Sequence, residues 1–387
     1  MNSGKLRIFV TTSHISTVYM TLCAQATHEA GNVDVLLVDD GVRRQFLLDL
    51  VKEVASFYNW NLFHSFSAGV SSEYDFKPSA SKTLTRKWKV LPGIRLFYDY
   101  LLRRYVRKKN KGYRTVLTRL LGQLPPAQTT ELFLMTNTHL YATLGPMFPE
   151  ASIHYMEHGI GDYFYILEKN DPGRKFHCVF EKPFRSYLRK TNQASGYVAA
   201  IDGLANFNKL AHQLIEKHRP VLGLDKLKIP GKPVVFILLE AVDMYNVPER
   251  FWKEYLAKIT SQLDAPGQFH YILKTHPVQS NISIRHSEDF FREKGFTYTL
   301  LAGEKLSSVS AETLFDCWAP QTKHVFCLFS SACFYLSQLY PDMNIRFWYS
   351  TDFMSKYISS APPEYLKHFE GLRPLIENVF AERCKAY

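Results

Sequence analysis

The chain has 387 residues, 46% of them hydrophobic and 21% charged, a balance that fits an ordinary globular protein and excludes a disordered or collagen-like one. This length exceeds one compact core and points to two domains of roughly 150–200 residues each. Six scattered cysteines (Cys23, Cys178, Cys317, Cys327, Cys333, Cys384) form no CxxC pair, which argues against a zinc ribbon or a disulfide framework and reads as reduced thiols in a cytosolic protein. The opening residues MNSGKLRIFVTTSH lack the apolar core of a signal peptide, and no stretch reaches the roughly 18 uncharged apolar residues of a membrane span. The expected location is the cytoplasm, with peripheral contact at the inner membrane as the only membrane association. Asn281-Ile-Ser283 matches a glycosylation sequon, a chance match in such a chain.

In chain order, Leu6–Val10 and Val33–Val38 read as buried strands, separated by a helix predicted over Ser16–Ala30 that stops near Gly31. Strand, helix, strand implies a parallel sheet. Asp39-Asp40-Gly41 reads as the polar end of the second strand rather than a metal-binding DxD motif. The charge then concentrates. Of a net +11, the segment from Lys82 to Arg119 carries +12, with thirteen Lys/Arg against Asp99 alone. Leu96, Phe97, Tyr100, Leu101, Tyr105, Leu117, Leu120 and Leu121 recur there near helical spacing, which predicts amphipathic helices with a basic face. That face is a solvated surface, or it meets an anionic membrane or a long anionic acceptor through Arg103, Arg104, Arg107, Lys108 and Lys109. Nucleic acid is not expected as a partner, because no helix-turn-helix, finger or aromatic-basic signature accompanies the charge.

Leu132–Met135 is the next predicted strand, followed by Thr136-Asn-Thr-His139 and a short helix, and Ile153–Met156 leads into Glu157. Three prolines and two glycines between Pro220 and Pro233 break the pattern and place the domain boundary there. The first domain is therefore read as 1–222 with a basic insertion at 82–121, the second as 229–360, and residues 361–387 as a C-terminal helix. Beyond the boundary, Val234–Leu239 restarts the rhythm, a helix covers Pro248–Leu263, Phe269–Leu273 runs into Lys274-Thr-His-Pro277, and Val325–Phe329 runs into Ser330-Ser331. No tandem repeat or low-complexity stretch interrupts this order.

Three polar segments follow apolar strands: Glu157-His158-Gly159, His276-Pro277 and Ser330-Ser331. In an open α/β sheet the ligand crevice lies beyond the carboxyl ends of the strands. Glu157 there can take a proton from a hydroxyl, and Gly159 and Gly161 let a substrate approach the backbone. A histidine before proline is held out of the α region, which fixes its ring toward a cleft. Ser330 and Ser331 suit a strand-loop-helix phosphate site. Taken singly, each also has an ordinary structural reading, such as a helix cap or a surface ion pair. A base, an acid or phosphate clamp, and an anion cradle are together what glycosyl transfer from a phosphate-linked donor requires.

In this order the three segments resemble the motifs of the bacterial GT-B sialyltransferases, in particular the capsule polysialyltransferases and lipooligosaccharide sialyltransferases. Phe148-Pro-Glu-Ala-Ser-Ile-His-Tyr-Met-Glu-His-Gly matches the acidic-acidic-Gly motif with its strand, Leu273–Pro277 the HP motif, and Phe329-Ser-Ser-Ala-Cys333 the serine pair. Ser307–Leu314, with Glu312, is similar to the helix start that approaches the nucleotide. The second acid of the family motif is His158 here. The resemblance spans residues 130–345 as scattered motifs and implies a GT-B fold, two Rossmann-like domains facing a central cleft with the C-terminal helix packing back on the first. It implies inverting, metal-independent transfer of sialic acid or a related nonulosonic acid from a CMP-activated donor to a glycan hydroxyl. The acceptor is expected to be acidic or lipid-linked, and no cofactor is expected beyond the CMP-sugar itself. In that scheme Glu157 deprotonates the acceptor, His276 donates to the phosphate of the departing CMP, Ser330 and Ser331 hold that phosphate, and Glu312 takes the ribose hydroxyls. Two rivals stand beside it: a GT-B transferase with another donor, such as CMP-Kdo or another nucleotide sugar, and a non-catalytic binding protein acting through its basic segment. A GxSxG hydrolase is disfavoured, since Ser330 has no such glycine frame.

Overall fold

The computed structural model describes residues 4–39, 45–66, 111–125, 127–136, 140–169, 173–227, 229–240, 242, 247–277, 279–328, 330–357, 370–381 and 384–386. The side chain of Asp39, with Asp40 and Gly41, lies outside them, as do 137–139 and most of the basic segment, including Arg103, Arg104, Arg107, Lys108 and Lys109. The chain divides into two compact units, residues 1–156 with 173–175, and residues 157–172 with 176–387.

The described strands are β1 (Lys5–Thr11), β2 (Val33–Asp39), β3 (Leu62–Phe66), β4 (Thr129–Met135), β5 (Ser152–Met156), β6 (Lys175–Cys178), β7 (Val198–Ala200), β8 (Val234–Leu238), β9 (His270–Lys274), β10 (Thr297–Leu301), β11 (Thr322–Cys327), β12 (Asn344–Phe347) and β13 (Lys385–Ala386). They form two parallel sheets, ordered β3-β2-β1-β4-β5-β6-β7 and β10-β9-β8-β11-β12-β13. Each order reverses once, between β1 and β4 and between β8 and β11, and such a switch point opens a crevice at the carboxyl edge of its sheet. Beyond the neighbouring strands β9, β8 and β11 of the second sheet lie His276, Glu240 and Ser330.

In the first unit, β1 buries Ile8, Phe9 and Val10 completely. The helix after it begins at His14, not Ser16, because Ser13 caps it: the Ser13 hydroxyl accepts the Ser16 N–H, and the Ser16 hydroxyl in turn accepts the Ser13 N–H. It ends at Ala26 rather than Ala30. Arg7 holds the helix end there, since its Nη1 donates to the Thr27 carbonyl at 2.9 Å and to the Thr27 hydroxyl at 2.6 Å. The same guanidinium pairs with Asp34 through two bonds of 2.6 and 2.7 Å, and the side chains are only 2% and 1% exposed. Residues 111–121 of the basic segment are helical; Tyr113 and Leu117 face the core while Lys111, Arg114 and Arg119 are exposed. Tyr113 meets Phe66 edge-on at 4.9 Å.

In the second unit, the helix expected over Pro248–Leu263 is observed as Glu249–Thr260 and buries Phe251, Trp252, Tyr255 and Leu256 beneath β8 and β9. Residues 370–380 are helical, and Phe380 packs edge-on against Tyr163 at 4.9 Å and Phe180 at 5.0 Å. The chain then adds β13 beside β12. No helix among the described residues is long and apolar enough to cross a membrane.

Candidate functional site

The site builds from two loop-to-helix junctions in the second unit. After β5 the chain runs Glu157-His158-Gly159-Ile160 into the helix Gly161–Lys169; after β11 it runs through Ser330 into the helix Ser331–Leu339. Each N-terminus presents backbone N–H groups and the positive end of a helix dipole. They come together directly, because the Ile160 N–H donates to Ser331 Oγ at 3.2 Å. Gly159 lies beside this contact: a Cβ there would rest 3.4 Å from Ser331 Oγ, an ordinary van der Waals separation.

Glu157 differs from its expected role as an exposed proton acceptor. Its residue is 0% exposed. Oε2 accepts the Tyr163 O–H at 2.9 Å and the Val179 N–H at 2.6 Å, and Oε1 accepts the Tyr335 O–H at 2.6 Å. Burial pushes this carboxyl up to about 8, against the pull of those three donors. A carboxyl whose two oxygens are both taken up by internal donors turns no face to a substrate.

The neighbouring His158 has the opposite character. Its side chain is 30% exposed, and its Nδ1 lies 2.7 Å from Oδ2 of Asp162, which is 4% exposed. The same oxygen accepts the His158 backbone N–H at 2.7 Å. Burial draws the imidazole's pKa down, but the charge and hydrogen bond of Asp162 outweigh it and hold the pKa above the ordinary histidine value. With Nδ1–H held by the carboxylate, Nε2 is the nitrogen left to accept a proton. A partly exposed imidazole oriented by a buried carboxylate is the arrangement of a general base.

A second group gathers around β9. His276 stands exposed beyond that strand, in a turn closed by two bonds: its N–H donates to the Gln279 side-chain oxygen at 3.3 Å, and its carbonyl accepts the Gln279 N–H at 3.0 Å. Lys274, 4% exposed, spends its ammonium on the carbonyls of Thr275 at 2.7 Å and Ser307 at 3.2 Å. This ties the end of β9, just before the histidine turn, to the short helix Glu304–Ser308 that precedes Glu312. Glu312 lies in the short helix Ala311–Phe315, 5% exposed, and burial raises its carboxyl to about 7 while lowering Lys274 to about 7. Glu240, at the end of β8, accepts the Leu328 N–H at 3.2 Å and so anchors the approach to Ser330.

The structure thus brings Glu157, His158 and Ser331 together, while Lys274 joins the end of β9, two residues before His276, to Ser307, five residues before Glu312. Sequence reasoning missed Asp162, Tyr163, Tyr335, Lys274 and Glu240. Of these only Asp162 carries a local signal, four residues after His158 at a helix start. No group of metal-ligating side chains was found among the described residues.

No family model matches the chain, and no curated protein matches it either. Among solved structures it is similar to a UDP-GlcNAc 2-epimerase from Methanocaldococcus jannaschii, with a TM-score of 0.50 and 10% identity over 98% of this chain and 94% of that one. A complex of the epimerase from that organism with UDP-GlcNAc and UDP gives a TM-score of 0.50 at 11% identity, over 89% and 83%. The GT-B domain of a sialyltransferase from Photobacterium damselae gives 0.46 at 10% identity, over 99% of each chain. At such identities likeness speaks to the fold alone. The two parallel α/β sheets are those of a GT-B fold.

Proposed function

We propose that the protein is an inverting glycosyltransferase that moves sialic acid, or a related nonulosonic acid, from a CMP-activated donor to a hydroxyl of an acidic or lipid-linked glycan. The observation that carries this reading is the meeting of an Asp162-oriented His158 with the Ser331 helix start. His158 Nε2 takes the proton of the acceptor hydroxyl as its oxygen attacks the anomeric carbon. The bond from that carbon to the CMP phosphate breaks on the opposite face, which inverts the centre. Charge gathers on the phosphate as it leaves, and Ser330, Ser331 and His276 donate to it. Ser331 Oγ accepts from Ile160, which leaves its own proton for a phosphate oxygen. Glu312 receives the ribose hydroxyls.

The reading includes no divalent cation, on the ground that the sequence has no DxD motif in a suitable loop. The motif resemblance favours CMP, whereas a solved structure of similar fold is an epimerase complex with UDP-GlcNAc and UDP, so a UDP-sugar is the alternative donor to test. A panel of CMP-, UDP- and GDP-sugars, each with an acceptor mixture and with or without EDTA, decides between them. Release of CMP from CMP-sialic acid alone, unaffected by EDTA, is the expected result. Turnover or 2-epimerisation of a UDP-sugar, with CMP-sugars untouched, overturns the donor assignment.

A further inference from the structure

Glu157 is fully buried and is bonded from three segments of the chain. Tyr163 belongs to the helix that follows the Glu157 loop, Val179 follows β6, and Tyr335 belongs to the Ser331–Leu339 helix. The direction of the Tyr163 hydroxyl is fixed, because its oxygen accepts the Phe180 N–H at 3.1 Å and its proton is therefore turned to Glu157. Tyr335 sits four residues after Ser331, one helical turn further along the same helix. Two bridges thus join the same pair of segments: Tyr335 to Glu157 at 2.6 Å, and Ile160 to Ser331 at 3.2 Å. Phe334 packs on Phe380 and the Tyr335 ring against Phe180, and within that packing the two bonds, a turn apart, set the register of the helix against the Glu157 loop.

We propose that Glu157 and Tyr335 are positioning residues, which lock the helix carrying Ser330 and Ser331 against the loop carrying His158 so that proton acceptor and phosphate donors keep one spacing. The proposal rests on the functional reading above. The spacing matters because in-line displacement needs the attacking oxygen and the leaving phosphate on opposite sides of one carbon, and small misplacements of the groups at either end are costly in rate. Neither residue touches the substrate. Their removal is therefore expected to spare binding at each end and to reduce the step that uses both ends together.

Tyr335→Phe removes one hydroxyl and keeps the ring. Its expected signature is a kcat roughly tenfold lower or more, a CMP dissociation constant changed less than about twofold, and an unshifted acid limb of the pH profile, since His158 and Asp162 are intact. Glu157→Gln keeps a carbonyl for Tyr163 and Val179 and an amide for the Tyr335 oxygen, so its turnover is expected within about tenfold of wild type, with Glu157→Ala far lower. Wild-type kcat in Tyr335→Phe overturns the proposal, as does a loss of roughly 10²–10⁴-fold in Glu157→Gln, which would return the base role to Glu157. Should Tyr335→Phe not fold, the two Glu157 variants carry the comparison. Should the wild type turn over no nucleotide sugar, the functional reading fails separately, and hydrogen exchange still reads the lock. Amides of 157–162 and 331–336 are then expected to exchange roughly tenfold faster in Tyr335→Phe, and unchanged exchange removes it.

Discussion

Exchanging Asp162 for asparagine tests the proposed base without touching it. His158 acts as a base only when neutral, so turnover rises with pH through its pKa. Asp162 lies 2.7 Å from Nδ1, is almost fully buried, and favours the protonated ring. Removing its charge therefore lowers the His158 pKa, and the acid limb of kcat/KM moves to lower pH in Asp162→Asn. The rate above the limb falls as well, because Oδ2 also holds the ring's tautomer and the loop backbone. Loss of an orienting carboxylate of this kind costs up to roughly 10⁴-fold, and His158→Ala, which removes the base itself, roughly 10²–10⁴-fold. At 1.36 kcal/mol per decade, the latter is about 3–5 kcal/mol of transition-state stabilisation. The assay is initial rate of CMP release from pH 5 to 9 with the acceptor held well below its KM, so that the rate follows kcat/KM. An acid limb displaced upward in Asp162→Asn, or near-wild-type turnover in His158→Ala, would refute the assignment.

Three further outcomes are expected. Arg7→Met leaves the buried Asp34 carboxylate with the Tyr58 hydroxyl but without its counter-ion and should cost about 3–5 kcal/mol in urea unfolding, with part of it recovered in Arg7→Met/Asp34→Leu; a single variant within about 1 kcal/mol of wild type would show the pair to be idle. His276→Ala and Ser331→Ala should each weaken CMP as a product inhibitor by roughly tenfold or more, as each removes a charge-assisted bond to one phosphate, and unchanged inhibition in both would rule out the phosphate clamp. Replacing Arg103, Arg104, Arg107, Lys108 and Lys109 with glutamine should raise KM for a long acidic acceptor and spare a short neutral one, an effect that fades with added salt; equal KM shifts on both acceptors would return this face to plain solvation.

The strands that sequence reasoning found are the central ones. β8 reads as an unbroken apolar run, and β1 and β2 as apolar runs interrupted once, by Arg7 and Asp34, because both faces of a parallel sheet are covered; burial is continuous along β8 and β9. The strands it missed, β3, β6, β7, β10, β12 and β13, lie toward the sheet margins; β3 is Leu-Phe-His-Ser-Phe, β6 is Lys-Phe-His-Cys and β12 is Asn-Ile-Arg-Phe, each too short and too polar to stand out. The strand-end motifs were legible for the same reason as the central strands. What was not legible was which member of Glu157-His158 faces outward. That choice is made by Tyr335, 178 residues away, whose hydroxyl takes up one carboxylate oxygen, and pairings at such separation leave no local pattern.

The division of the chain into units has a bearing on any attempt to cut it. Residues 157–172 and 176–222 belong with the second sheet's unit although they precede the proline-rich stretch. A fragment starting at residue 229 would carry Tyr335 and Phe380 without Glu157, Tyr163 or Phe180, and would expose to water a tyrosine that is 1% exposed and a phenylalanine that is 0% exposed in the intact chain. Such a piece should be sticky alone and soluble once the complementary fragment is supplied. Split at that stretch, the protein would behave as a two-part reporter whose halves regain their buried surface only on meeting.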